Sequence, residues 1–356
     1  MSRSTPRLQL AWNSIYAALG HQSTSGSKYA DECSNVNSEV DRSIDKVSEN
    51  GHELNGIVGA TTNGIQLLDV ASLSSEGSQG HTNEDRLVVM SDERFHLFAV
   101  MDGHGGAQAG DFLVEELFKT LDRVYDDGFD HVELSHAMEE LDRTFCALAT
   151  SKLDMSGACL LAVLLYVDPK TDSPQKIVLN IGDCRAIAHE VCESTAEKDS
   201  KEKKKKKKKR VDQTLHGATH TGKTLALSRD HCASNRKERE RVLRSGAFIS
   251  GDRIGGVLEP FRTIGDIDMK GRDMKNWVIA TPEIHQSDLL VGRSTLVIAT
   301  DGVWTVLNNS QTMALVLENL GGKKAAACAK SAARAVVEKA RELGSCDDIT
   351  VIVISV

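Results

Sequence analysis

The sequence predicts an α+β fold in which two β-sheets are covered on their outer faces by helices. Apolar runs typical of buried strands occur near both ends of the chain. Between them lie pairs of segments whose apolar residues recur at helical spacing. Strands and helices that are segregated in this way pack as separate layers, so we expect the sheets inside and the helices outside.

The first half of the fold is predicted to contain three strands and then two helices. Leu113, Leu117 and Leu121 recur at helical spacing, and Leu134, Met138 and Leu141 repeat that pattern further along. In chain order the expected elements are strands at 64–73, 86–90 and 95–101, and helices at 108–124 and 132–153.

The second half alternates strands with further helices. Gly246 ends the first of these helices, and the β-branched run at the carboxyl end predicts a closing strand. The expected strands are 158–167, 177–181, 185–189, 224–227, 278–280, 295–300 and 349–356, and the expected helices are 235–245, 311–320 and 324–343.

Composition indicates an intracellular globular protein preceded by an extension. Apolar residues make up 40% and charged residues 26% of the 356 positions, and no apolar run is long enough to span a membrane. The eight cysteines are scattered without a CxxC pair, which favours a reducing compartment, the cytoplasm and/or the nucleus. Residues 1–60 are polar and aperiodic, so a disordered amino-terminal extension is favoured. A mitochondrial targeting segment is the alternative, because no acidic residue precedes Asp31.

Charge is distributed unevenly along the chain. The run at 201–210 carries a net charge of +8, which leaves about −16 on the rest of a chain whose formal net charge is −8. We interpret about 191–223 as a lysine-rich insert, either a nuclear localisation signal, a patch for nucleic acid or membrane surfaces, or a solvated loop. The run has no interleaved aromatic residues, which argues against a dedicated nucleic-acid site.

The segment 98–106, Phe-Ala-Val-Met-Asp-Gly-His-Gly-Gly, is the strongest local candidate for a functional site. A buried strand ends at Asp102, and the glycines after it allow a sharp turn and a close approach to a ligand. Asp102, the carbonyl of Gly103 and His104 together suggest a metal-assisted hydrolytic site. A strand that simply ends in a glycine-rich turn explains the segment equally well.

Three further acids stand beside apolar runs, as Asp102 does: Glu84, Asp301 and Asp347. Buried carboxylates repel one another unless cations neutralise them, so convergence of these four would indicate a metal cluster. Oxygen ligands alone favour Mg²⁺ or Mn²⁺ over zinc. Taken singly, each acid is more often a helix cap or a turn former.

Eight short motifs occur in an order and spacing that resemble one family. They are Asn83-Glu84-Asp85, Asp102-Gly103-His104-Gly105-Gly106, Ser156-Gly157-Ala158, Asn180-Ile181-Gly182-Asp183-Cys184-Arg185, Leu227-Ser228-Arg229-Asp230-His231, Arg262-Thr263-Ile264-Gly265-Asp266, Asp301-Gly302-Val303-Trp304 and Asp347-Asp348-Ile349-Thr350. The sequence is thereby similar to the metal-dependent serine/threonine protein phosphatases of type 2C over about residues 60–356. Asp266 is interpreted as a turn former.

The resemblance implies a four-layer α-β-β-α fold: a central antiparallel β-sandwich flanked by pairs of helices. It makes 61–356 the catalytic domain, with two Mg²⁺ or Mn²⁺ ions in a cleft at one end. Asp102 would bridge both ions, and Asp183 matches an acid of a third, weaker site. Positions matching Glu84 and the Gly103 carbonyl hold one ion in the family, and those matching Asp301 and Asp347 hold the other.

The implied reaction is hydrolysis of phosphoserine and phosphothreonine in proteins by a metal-activated water, without a phospho-enzyme. The family assigns the role of general acid to the position of His104, and Asp102 serves catalysis through the metals. The partners are therefore phosphorylated protein substrates, and the enzyme is expected to be a monomer.

The sequence departs from the family pattern at three positions. Gly80 stands where the family has a phosphate-binding arginine. Neighbouring His81 and Arg86 are the candidates to compensate, and strand alternation could equally point them elsewhere. Thr305 and Asp348 replace an acid and an asparagine. The loss at Gly80 supports a second hypothesis, a pseudophosphatase that binds phosphoproteins without turnover, although the complete set of acids favours the enzyme.

Overall fold

The computed structural model describes residues 53–54, 61–62, 64–191, 222–271, 274, 276–321 and 328–356. Within these ranges it confirms the predicted α+β class, with two antiparallel sheets covered by helices. The amino-terminal extension and the lysine-rich insert lie almost wholly outside the described residues.

Each of the two main sheets contains six strands. The first has the order β1-β4-β16-β15-β9-β10, and consists of β1 (Glu53–Leu54), β4 (Asp69–Ser75), β9 (Arg185–Val191), β10 (Gly222–Ala226), β15 (Ser294–Ala299) and β16 (Ile349–Ser355). The second has the order β14-β8-β7-β6-β5 with β13 on β7, and consists of β5 (Arg86–Ser91), β6 (Phe95–His104), β7 (Gly157–Asp168), β8 (Ser173–Ile181), β13 (Ile264–Gly265) and β14 (Glu283–Asp288). Two small hairpins complete the strands, β2 (Thr61–Thr62) with β3 (Ile65–Gln66) and β11 (Ile249–Ser250) with β12 (Arg253–Ile254).

The helices of the described ranges lie outside the sheets. They are α1 (Gln108–Val124), α2 (His131–Lys152), α3 (Arg236–Arg244), α4 (Asp301–Trp304), α5 (Asn309–Gly321) and α6 (Ala329–Glu342). Asp130 caps α2 by accepting from two backbone N–H groups, and the side chain of Asn235 caps α3. No helix in the described part of the chain has the length and apolarity needed to cross a membrane.

Three apolar cores separate four layers. On β6, Leu97, Ala99 and Met101 pack under α1 and α2, whereas Phe98 and Val100 pack between the two sheets. A third core joins the other face of the first sheet to α5 and α6. Both faces of the central strands are buried, which explains why they appear in the sequence as continuous apolar runs. The predicted α-β-β-α arrangement is confirmed.

Among the errors in the element predictions are one strand that does not form and one strand that was missed. Residues 278–280 form no strand, because Ile279 makes only an isolated bridge to Arg262. Strand β14 was missed because its sequence, Glu-Ile-His-Gln-Ser-Asp, is mostly polar. It is an edge strand paired only with β8, so its side chains remain partly exposed and no apolar run marks it.

Candidate metal centre

Strand ends from both sheets meet at one end of the sandwich. Asp102 lies near the end of β6 in the second sheet, and Asp301 follows β15 of the first sheet and begins α4. The backbone N–H of Asp301 donates to Oδ2 of Asp102 at 3.5 Å, although the two residues are 199 positions apart. The fold therefore brings these two predicted ligands together.

Burial and mutual repulsion act on the carboxyl groups at this end. Burial, followed by the charges of Asp301 and other nearby acids, raises the pKa of Asp102 well above its ordinary value. The pKa of Asp301 is raised in the same way by burial and then by Asp183 and Asp347. Burial also raises the pKa of Asp183 to about 6 and that of Asp85 to about 7.

The charges of these acids are not neutralised by basic side chains. Among the described residues, no lysine or arginine forms an ion pair with the carboxylates of Asp102, Asp183, Asp301 or Asp347. Within the same ranges, no three acidic, histidine or cysteine side chains are already arranged around a single ion position. The acids thus form an uncompensated negative region rather than a closed coordination shell.

Glu84 is held against the glycine that follows Asp102. A Cβ added at Gly103 would lie 2.4 Å from the carbonyl oxygen of Glu84, so only glycine allows this approach. Burial is the largest influence on Glu84 and raises the pKa of its carboxyl group. Glu84 and the Gly103 backbone are therefore neighbours, as the predicted shared ion requires.

His104 is paired with Asp266. Nε2 of His104 lies 2.9 and 3.0 Å from the two carboxylate oxygens of Asp266, which also accepts from the Thr263 hydroxyl at 2.5 Å. Burial alone would lower the pKa of His104, but the Asp266 carboxylate outweighs burial and raises it. A Cβ at Gly157 would fall 2.2 Å from that carboxylate, so this glycine makes room for the pair.

The interpretation of Asp266 as a turn former was incomplete. Its φ of 53° and the hydrogen bond from Met269 N–H to its carbonyl do place it in a turn. Its side chain, however, contacts a residue 162 positions away. Its place in the Arg262–Asp266 motif was the only sequence signal, and that signal does not name a partner.

Asp183 sits in a turn that His231 supports. The thiol of Cys159 donates to Asp183 Oδ1 at 3.1 Å. Nδ1 of His231 accepts from the Gly182 backbone N–H at 3.1 Å, so its Nε2 carries the proton that is donated to Glu283 at 3.2 Å. His231 thus orders the turn before Asp183 without facing the acids itself.

Asp85 is a buried member of the site that was quoted in a motif but given no role. The Thr300 hydroxyl donates to Asp85 Oδ2 at 2.9 Å and accepts from the Thr350 backbone N–H at 2.9 Å. This chain of hydrogen bonds ties the segment before β5 to the ends of β15 and β16. Nothing in the spacing of these residues indicated it.

Among the described residues, leaving out its two neighbours in the chain, none lies within 4 Å of a Cβ placed on Gly80. Gly80 has a φ of 88°, so an arginine at this position would adopt a strained backbone. Arg86 points elsewhere, because it pairs with Asp111 at 2.6 Å and donates to the carbonyls of Asn83 and Asp85. His81 remains the candidate to take over the role of that arginine. Its side chain is 38% exposed, and its Nδ1 lies 3.9 Å from Asp348 Oδ2.

Comparison with known proteins agrees with this fold. The family model described as Protein phosphatase 2C matches residues 68–349. The chain is 29% identical over 279 residues to Probable protein phosphatase 2C 11 of Arabidopsis thaliana, covering 76% of this chain and 61% of that protein. It is 28% identical over 275 residues to Probable protein phosphatase 2C 59 of the same plant, covering 76% and 73%.

A solved structure described as a phosphatase from a pathogenic strain of Toxoplasma gondii superimposes with a TM-score of 0.61. It is 19% identical, and the match covers 80% of this chain and 92% of that one. At this identity the likeness shows the fold alone. The family match spans most of the chain, and the protein belongs to the protein phosphatase 2C family.

Proposed function

We propose that the protein hydrolyses phosphoserine and phosphothreonine in other proteins with the help of divalent cations. The observation that supports this most is the uncompensated cluster of half-buried and buried carboxylates contributed by both sheets. Such groups are costly to bury together, and cations bound between them would remove that cost. Membership of the phosphatase family supplies the reaction class.

The residues present fit Mg²⁺ or Mn²⁺. The donors are carboxylate oxygens and one backbone carbonyl, which these hard cations prefer to nitrogen or sulfur ligands. We assign Asp102 to both of two ions, Glu84 and the Gly103 carbonyl to one, and Asp301 and Asp347 to the other. Asp183 would serve a third, weaker ion.

When bound, two such ions would activate a water and stabilise the charge that develops on the phosphoryl oxygens. His104 supplies the proton for the departing serine or threonine oxygen. Nε2 of His104 is hydrogen-bonded to Asp266, and no described residue accepts a hydrogen bond from Nδ1 of the same ring. Nδ1 is therefore the atom that donates, and the ion pair with Asp266 keeps the ring charged and oriented.

The second candidate function is a pseudophosphatase that binds phosphoproteins without hydrolysing them. Gly80 favours it, because an arginine would give a charge-assisted contact with phosphate that glycine lacks. The acids and the His104–Asp266 pair favour the enzyme, since binding alone requires neither.

The first prediction separates these two functions. Hydrolysis of a phosphothreonine peptide should require added Mn²⁺, stop with excess chelator, and fall by at least about 100-fold in Asp102→Ala, because that variant removes the shared ligand. Phosphate release, measured alongside phosphopeptide binding, checks this. Equal rates for the native protein and Asp102→Ala would exclude the enzyme, and binding without release in the native protein would support the pseudophosphatase.

A further inference from the structure

Asp348 joins two loops that carry candidate metal ligands. Its Oδ1 accepts from the Gly77 backbone N–H at 2.6 Å and its Oδ2 accepts from the Glu84 backbone N–H at 2.8 Å. Its own N–H donates to Asp347 Oδ1 at 2.9 Å. The side chain is only 5% exposed, so these contacts are not exchanged freely with water. One residue thus contacts Glu84 through its carboxylate and Asp347 through its backbone.

Arg341 of α6 holds the same two loops through their carbonyl groups. Nη1 donates to the Asp347 carbonyl at 2.7 Å and to that of Ser345 at 3.2 Å. Nη2 donates to the Ser75 carbonyl at 3.0 Å and also to that of Glu76. Arg341 therefore binds carbonyl groups of the two loops, and Asp348 binds backbone N–H groups.

The loops cross in direct contact at Gly77. A Cβ added there would lie 2.6 Å from the carbonyl oxygen of Cys346 and 2.7 Å from the carbonyl carbon of Asp347. The Ser78 N–H also donates to the Cys346 carbonyl at 2.8 Å. Because these atoms belong to the backbone, any larger residue at position 77 must separate the loops.

We propose that Asp348 is a positioning residue that fixes Glu84 and Asp347 relative to each other and thereby sets the affinity of the site for divalent cations. The inference rests on the proposed metal site. The carboxylate accepts at two points of the loop at 76–85 at once, one oxygen for each N–H group, while Asp348 itself belongs to the loop of Asp347. An alanine has no acceptor, so both N–H groups would lose their partner and the two loops would be joined less firmly.

The test is a calorimetric titration of the full chain with Mn²⁺ alone, without substrate. Asp348→Ala should weaken Mn²⁺ binding by about tenfold or more, the usual effect of removing a partner that orients metal ligands. Gly77→Ala should weaken it comparably, because it separates the loops and leaves every charge in place.

Asp130→Ala is the matched control. Asp130 also accepts from two backbone N–H groups, but at the start of α2. The opposite end of that 22-residue helix is the one that faces the candidate site, because it leads to Met155, whose carbonyl lies 3.5 Å from a Cβ placed on Gly105. Since the helix is about 33 Å long, Asp130 lies far from the site. Asp130→Ala should lower thermal stability and leave Mn²⁺ affinity unchanged.

The outcomes separate the inference from the proposed function. Unchanged Mn²⁺ affinity in Asp348→Ala, with normal binding by the native protein, would overturn the inference alone. Weaker binding in Asp348→Ala with unchanged binding in Gly77→Ala would also overturn it, because charge rather than position would then be responsible. A native protein that binds no Mn²⁺ would overturn the proposed function together with the inference.

Discussion

At the scale of single residues, two glycines determine how closely the candidate catalytic groups approach one another. Gly103 lies against the Glu84 backbone, and Gly157 leaves room for the Asp266 carboxylate beside His104. Both were quoted in the sequence motifs, but no spacing shows what a glycine makes room for. The acids were predictable because each follows or precedes an apolar run, whereas their partners belong to distant parts of the chain.

The second prediction concerns the proton delivered by His104. His104→Ala should lower kcat for a phosphoserine peptide by about 100-fold or more, because the serine oxygen leaves only when protonated. With p-nitrophenyl phosphate, whose leaving group needs no proton, the loss should be much smaller. Steady-state kinetics on both substrates measure the difference.

Asp266→Asn tests the partner of His104 in the same assays. It keeps the shape of the side chain but removes the charge that holds the imidazolium, so kcat for the peptide should fall with little change in KM. Equal losses on both substrates for either variant would contradict the acid role and indicate a disturbed metal site instead.

At the scale of elements, α3 is anchored by a buried ionic network. The Glu238 side chain is 4% exposed and pairs with Arg262 and with Arg241 at 3.0 Å. Arg241 also donates to the carbonyls of Asn276, Trp277 and Phe261, which connects α3 to the segment before β14. The sequence indicated a charged helix here, but a helix so rich in charge gives no sign of which carboxylate is buried.

The third prediction concerns the pH dependence of stability through Glu238. Burial raises its pKa, but the hydrogen bonds and charges of Arg262 and Arg241 prevail and lower it below the ordinary 4.5. The unfolded chain therefore takes up this proton first, so the contribution of Glu238 is present above pH 4.5 and is lost as the pH falls below it.

Glu238→Gln should consequently lower the free energy of unfolding at pH 7 by about 3 kcal/mol, because it leaves the half-buried Arg241 and Arg262 without their carboxylate partner. The difference from the native protein should shrink as the pH falls toward 3. Urea unfolding at several pH values checks this, and Glu240→Gln, on the exposed face of α3, is the control. A difference that does not vary with pH would show that the charge of Glu238 is not what matters.

At the scale of the whole molecule, the order of the layers and the strand ends that carry the candidate site were predictable from the sequence. The edge strands of the sheets were not. The continuous apolar runs in β6, β7 and β16 reflect strands that are buried on both faces, and such runs are easily recognised in a sequence. Polar edge strands such as β14 have no such pattern. Contacts such as Asp348 to Glu84, over 264 positions, depend on the completed fold.

The fourth prediction concerns the insert, which we propose to be separable from the catalytic domain. Val191 and Gly222 are paired partners at the ends of β9 and β10, so the chain leaves and re-enters the sheet at one hairpin position. Replacing 192–221 with Asn-Gly, a two-residue turn suited to hairpins, should preserve the fold and Mn²⁺-dependent hydrolysis.

The shorter connection should also raise the free energy of unfolding by up to about 2 kcal/mol, because loop closure then costs less entropy. Circular dichroism, urea unfolding and phosphopeptide hydrolysis measure these effects. Loss of folding or of hydrolysis would mean that the segment belongs to the catalytic body and that the proposed domain division is wrong.

The contact between Asp102 and Asp301 also has a consequence for the order of events during folding. The two residues stand at the ends of different sheets, so neither sheet alone can present both carboxylates. Pairings between such distant segments form slowly, and ion affinity would arise only once the sandwich has closed. Cations would then act after assembly rather than guide it, binding the native state selectively and making its opening rarer.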